Sequence, residues 1–196
     1  MNQNATVLTP SPAVLIDKAA IAIGGRMKDA TFGLPWITEV YGAIERRLKD
    51  QNGQNYYYPG ALADSNGLEY IDMMPDSLKG NFVYLDATEN QSINFQRGGS
   101  RVIYNVGIVF WFDLRDIYTG ETWKTKTLEN VKSDVLTWFE NASFPAARVS
   151  LKITDIKTRA EEIYKGYSFN EINQQFLMRP YGGFRFDAEI QIYNIC

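Results

Sequence analysis

An α+β fold with a mostly antiparallel, one-sided sheet is what this sequence predicts, and three observations predict it. Several segments alternate apolar and polar residues with the two-residue period of a half-buried strand. Others space their apolar residues at three and four, as an amphipathic helix does. The strands are not the uniformly apolar runs of a doubly wound parallel sheet. The chain has 196 residues, shows no internal repeat, low-complexity tract or long linker, and reads as a single domain over 1–196 with enough length to bury its own core.

In chain order, residues 1–11 are largely polar, carry Pro10 and read as an irregular arm. Ser11 followed by Pro12 is a helix-start signal, a serine cap before a proline whose φ suits the first turn, so a helix is expected over 12–23 and ends at Gly24-Gly25. A second helix is expected from Pro35, with Ile37, Val40, Tyr41, Ile44 and Leu48 on one face, stopping near Asn52-Gly53. Residues 54–97 read as a meander inserted before the long strand: Tyr56-Tyr57-Tyr58, then 68–73, 82–85 and 92–95, punctuated by Pro59, Gly60, Pro75, Gly80 and Asn81.

The strongest strand signal runs over 101–114, where Val102, Tyr104, Val106, Ile108, Phe110, Phe112 and Leu114 occupy every even position and the odd positions are mixed. One face is core and the other is partly covered. Past a turn at Thr119-Gly120, Thr127 caps a helix whose stripe is Leu128, Val131, Val135, Trp138 and Phe139. Two further strands alternate: Ala147, Val149, Leu151 and Ile153 against Arg148, Ser150, Lys152 and Thr154, and Phe184, Phe186, Ala188, Ile190 and Ile192 against Arg185, Asp187, Glu189 and Gln191. Between them, 159–164 and 173–178 are short helical pieces, and Gly182-Gly183 reads as a turn.

Composition narrows function by exclusion. The chain has no histidine and one cysteine, Cys196, which removes Ser-His-Asp triads, Cys-His pairs, His-ligated metals and multi-cysteine clusters. A formal charge of -3 argues against a protein whose main task is coating nucleic acid. The longest apolar stretch, 102–111, is far short of the roughly 20 residues that span a bilayer. The opening residues lack the basic residue and apolar run of a secretory signal, so the chain is expected to work where it is made.

Each motif has a chemical and a plain reading. Arg97-Gly98-Gly99-Ser100-Arg101 has the glycines and arginines of a phosphate cradle, but no strand-loop-helix context surrounds it, and a loop entering the long strand is the plain alternative. Asp155-Ile156-Lys157, with Asp134 upstream, matches the acidic-x-lysine element of magnesium-dependent nucleases, against an ordinary charged strand end. Asp113, Asp116 and Glu121 with Arg115 suit a divalent ion or a solvated turn. Aromatic residues make up 14% of the chain, too many for one core. Tyr56, Tyr57, Tyr58, Trp36, Trp123 and Tyr181 are therefore the candidate subunit-contact residues, because tyrosine and tryptophan fill interface centres.

The order of elements, with the 37–48 pattern, the meander, the long strand Arg101-Val-Ile-Tyr-Asn-Val-Gly-Ile-Val-Phe-Trp-Phe, the helix over 128–139 and the final Gly183-Phe-Arg-Phe-Asp-Ala-Glu-Ile-Gln-Ile, resembles the tail-terminator and head-to-tail joining proteins of tailed bacteriophages. The texture also resembles ring proteins in the neck or tail of crAss-like short-tailed phages. The resemblance implies a non-enzymatic subunit of a six- or twelve-fold ring, with no catalytic residue, metal or cofactor. Its partners would be further copies, the portal and other neck and tail proteins, and DNA would pass through the lumen without specific binding. The place of work would be the virion neck or tail, assembled in the host cytoplasm, with no membrane involved. Two other classes stand beside it: a small magnesium-dependent nuclease using Asp134, Asp155 and Lys157, and a plain binding module with a ligand site on the sheet.

Overall fold

A computed structural model of the chain describes residues 15–51, 53–63, 69–87, 91–96, 99–144 and 148–193. It opens with helix α1 (Leu15–Met27), followed by strands β1 (Glu39–Gln51), β2 (Gln54–Leu62), β3 (Tyr70–Asp72), β4 (Phe82–Asp86), β5 (Gln91–Gln96) and β6 (Gly99–Asp113). Then come the short helix α2 (Leu114–Ile117), a 3-10 turn (Thr122–Thr125), helix α3 (Leu128–Asn141), β7 (Val149–Lys157), the short helices α4 (Ala160–Ile163) and α5 (Glu171–Gln175), and β8 (Tyr181–Tyr193). The irregular arm expected over 1–11 lies outside the described residues. No described helix is long and apolar enough to cross a membrane.

The strands form one unclosed sheet in the order β3-β2-β1-β4-β6-β8-β7, with β5 also paired to β6. All pairs are antiparallel except β1 with β4. The spine is β6 with β8, in register from Arg101 opposite Tyr193 to Asp113 opposite Tyr181. The α+β architecture expected from the sequence is the one observed.

Why β6 forms the spine follows from its two-residue period. Its even residues Val102 to Phe112, with Phe184, Phe186, Ala188, Ile190 and Ile192 of β8, pack beneath Ala19, Ala20, Ile23 and Met27 of α1 and Val131, Val135 and Trp138 of α3. Its odd residues Val109 and Trp111 join Phe82, Tyr84, Met73, Met74, Ile163 and Tyr164 in a second core on the opposite face. Each of these fully buried aromatics contributes about 1.5–3 kcal/mol of transfer free energy. α3 is held at its start by Asn130, whose Oδ1 accepts the Thr127 N–H at 3.0 Å, a reciprocal arrangement of the capping-box kind.

Three expectations are corrected. The segment from Pro35 to Leu48 is not a helix; Glu39–Gln51 is the strand β1. The β-branched Val40 and Ile44 and the aromatic Tyr41 favour a strand, and a register shift between Val40 and Ala43 puts Val40 in the core beneath α1 and Ile44 in the second core on the opposite face, which a single helical face could not do. Gly24-Gly25 does not end α1, which continues to Met27. The chain turns later, where the Asp29 carboxylate accepts the N–H groups of Thr31 and Phe32, both at 2.9 Å. At Gly33 a Cβ would collide with the carbonyls of Met27 and Asp29. Pro59 and Gly60 lie inside β2, and Gly182-Gly183 inside β8, so none of them breaks a strand.

The stretch 54–97 carries β2, β3, β4 and β5. It supplies β4, which lies between β1 and β6 with all five residues buried. Arg185, expected on a solvated strand face, is 2% exposed. Its Nη1 donates to Asp86 Oδ2 at 2.8 Å and its Nε to Asp187 Oδ1 at 2.6 Å. The guanidinium lies over Gly107, where a Cβ would collide with it. Burial of this cation is tolerated because two carboxylates face it.

Candidate interaction surfaces

The six candidate contact residues fall in three places. Tyr56, Tyr57 and Tyr58 lie on β2, in the distal half of a hairpin whose register runs from Glu45 opposite Gly60 to Gln51 opposite Gln54. Alternation sends Tyr56 and Tyr58 to one side, stacked at 6.4 Å with Lys49 Nζ at 4.7 and 5.2 Å from their rings. Tyr57 is on the other side beneath the Arg46 guanidinium at 4.3 Å. Arg47 covers Tyr70 of β3 at 3.9 Å. The three tyrosines are half-buried by their own chain, whereas residues 45–50 opposite them are exposed. Burial and the nearby Asp72 carboxylate push the Tyr56 phenol up to about 12.

Trp36 lies on the face carrying α1 and α3, 5.8 Å from Phe112. With Arg26, Phe32, Asp134 and Trp138 it lines a cleft of about 590 Å³ between the turn after α1 and helix α3. Trp123 and Tyr181 belong to a third place, the end of the sheet where β8 starts. The Arg179 guanidinium lies 5.4 Å from the Trp123 ring and donates to the carbonyls of Trp123 and Lys124. Tyr181 stacks on Trp111 at 5.6 Å and its hydroxyl accepts from Arg115 at 3.2 Å.

Asn81, 1% exposed, ties that end together. Its side-chain amide donates to the Trp36 carbonyl at 3.0 Å, and its Oδ1 accepts the Asp113 N–H at 2.8 Å. The sequence placed Asn81 among turn residues and did not reveal this role, since its partners lie 45 and 32 positions away. Next to it is a second feature absent from the sequence-based candidates: Leu78, 92% exposed at the tip of the turn between β3 and β4. The available signal was an apolar residue inside Asp76-Ser77-Leu78-Lys79-Gly80, a turn sequence with nothing else to bury.

The nuclease candidates are not gathered into one site. The Asp155 carboxylate is taken by the Lys157 ammonium and, at 2.8 Å, by the Ile156 N–H, and these contacts hold it below the usual carboxylate range. Asp134 lies on α3, in the wall of the cleft beside Trp36. Asp113 caps α2 and holds Arg115 through both carboxylate oxygens. Its hydrogen bonds raise the Arg115 guanidinium above its ordinary value. Among the described residues no three His, Cys, Asp or Glu side chains form a group able to hold a metal ion. In the candidate phosphate cradle, Gly99 pairs with Gln96 as β5 turns into β6, and residues 97–98 lie outside the described residues.

No protein-family model matches the chain, and no curated protein sequence matches it.

Proposed function

We propose that this chain is a structural ring subunit of a bacteriophage neck or tail, of the tail-terminator or head-to-tail connector kind, and not an enzyme. The observation that carries the reading is the β1–β2 hairpin. Its distal half pairs strand to strand only within itself and leaves β1 residues 45–50 exposed, while on β2 Tyr57 is tied to Ser168, and Tyr56 and Tyr58 pack against the second core beneath Lys49. Such an arm reaches a neighbouring copy when subunits associate head to tail. A ring results when the rotation between neighbours closes.

Other large apolar groups left in solvent support the same reading: Phe32 at 61%, Met178 at 62% and Leu48 at 52%. Scattered exposed apolar residues are ordinary, but these project from turns and strand tips, where a partner can cover them. In this reading the lumen passes DNA without gripping it. The subunit's charge of -3 suits that task, because a wall rich in lysine and arginine would hold the phosphates. Arg46, Arg47, Lys124 and Lys126 then face away from the lumen.

Purification followed by light-scattering mass determination and negative-stain imaging tests the proposal. Closed rings of a fixed copy number, six or twelve, are the expected result. A chain that stays monomeric and enters no portal or tail particle would overturn it.

A further inference from the structure

The cleft beside Trp36 has a volume of about 590 Å³, within the range of small-ligand sites, roughly 300–1,000 Å³. Its two walls come from separate elements, and each is fixed by its own contacts. On one side the turn after α1 is closed by the Gly33 N–H, which donates to the Asp29 carbonyl at 2.8 Å, and the Leu34 N–H, which donates to the Met27 carbonyl at 2.7 Å. Trp36 follows this turn, with its carbonyl held by Asn81 and its ring against Phe110 and Phe112 at 6.3 and 5.8 Å. On the other side α3 presents Asp134, Thr137, Trp138 and Asn141, which at this spacing form one helical stripe. The Trp138 ring rests on Phe139 at 5.0 Å and on Phe144 at 6.4 Å.

Two charged side chains line the cleft, and they differ in what already satisfies them. Arg26 is engaged within the chain: its Nη1 lies 3.4 Å from Asp29 Oδ2, and its guanidinium covers the Phe32 ring at 4.6 Å. Asp134 is exposed and takes no hydrogen bond or ion pair among the described residues. One uncompensated carboxylate therefore stands in the wall, a helical turn from the Trp138 indole and across the cleft from Trp36. A carboxylate beside aromatic rings selects for positive charge, because the Coulomb attraction and the ring quadrupoles act in the same direction. An anion would be repelled by Asp134. A neutral apolar ligand would cover that carboxylate without giving it a partner, which is costly.

We infer that the cleft between the turn after α1 and helix α3 binds a small organic cation, a guanidinium or ammonium group on an apolar body. The charge lies at Asp134 and the body lies against Trp36 and Trp138. The walls need no rearrangement to take such a ligand, since the backbone bonds of the turn and the ring contacts of both tryptophans are already in place. The site is separate from the β1–β2 hairpin and does not depend on the ring reading.

Isothermal titration calorimetry of the full chain tests it, with benzamidinium as the probe and benzamide as its uncharged counterpart of nearly the same shape. The expected result is one saturable site for benzamidinium and none for benzamide. Asp134→Asn should weaken benzamidinium binding about tenfold, the loss of one charge-assisted contact. Asp134 is exposed, so this variant should keep the wild-type circular dichroism spectrum. A second readout locates the probe: in heteronuclear NMR the indole signals of Trp36 and Trp138 should move during the titration, while that of Trp111, buried in the second core, stays in place. Three results would each overturn the proposal: no saturable binding, equal binding by the wild type and Asp134→Asn, or benzamide binding as tightly as benzamidinium.

Discussion

Asp86 and Arg185 form a pair in which each side chain is 2% exposed, and their behaviour on mutation follows from that burial. Removing one member of a buried ion pair leaves the other charged and without solvent, which costs about 3–5 kcal/mol. Asp187 still contacts Arg185 Nε and its side chain is 31% exposed, so Asp86→Ala is expected at the low end, near 3 kcal/mol. Urea denaturation followed by circular dichroism gives that number directly. Residues 86 and 185 are 99 positions apart. The alternation of β8 correctly set Arg185 opposite Phe184 and Phe186, but nothing local shows that a second core covers that face.

The phenols make a separate prediction at this scale. Burial raises Tyr84 and Tyr164 above the ordinary tyrosine value, with neighbouring phenols and carboxylates adding to it. Tyr56 is pushed from 10.0 up to about 12. A raised value means that the folded chain holds the proton more tightly than the unfolded chain does. The associated stability is therefore whole below pH 10 and is lost as pH rises from 10 toward about 12. In an alkaline titration, the last tyrosines should ionise together with the loss of the circular dichroism signal. Complete phenolate absorbance from a chain still folded would contradict the buried placement.

At the scale of the element, β1 shows where pattern reading fails and why. Val40, Ile44 and Leu48 fit one helical face, but a register shift between Val40 and Ala43 sends Val40 and Ile44 to opposite faces of the sheet, and no local pattern announces such a shift. The decision is tertiary: β4 offers a parallel edge to Glu39–Ile44 and β2 an antiparallel one to the rest. Helix α3 was legible because its spacing mixes three and four, with Val131, Val135 and Trp138 buried, which no strand reproduces. Its start rests on the reciprocal contact between Thr127 and Asn130. Asn130→Ala should therefore lower stability by about 1 kcal/mol, readable as a shift in the thermal midpoint with no change in assembly.

For the whole molecule, the spine of β6 with β8 and its helical cover followed from alternation, while the place of β4 between β1 and β6 did not, since sheet order depends on pairings far apart in sequence. The positions of the candidate contact residues in the fold were not legible in the sequence. The tyrosine run was visible as an excess, yet its pairing with Lys49 and Arg46 needs the hairpin that the helix reading hid. The exposure of Leu78 depends on a turn whose geometry is spatial. The absence of histidine and the single cysteine remove histidine- and cysteine-based catalytic chemistry from consideration. In the proposed ring reading, the open sheet and the exposed β1 side of the hairpin are where a neighbouring copy would meet the subunit.

The most direct test is the mass and shape of the purified full-length chain in solution. Light scattering should give six or twelve times the subunit mass of 22.4 kDa, and negative-stain images should show rings whose lumen is not lined by Arg46, Arg47, Lys124 and Lys126. A single species of one subunit's mass at every concentration, with no incorporation into portal or tail particles, would contradict the account.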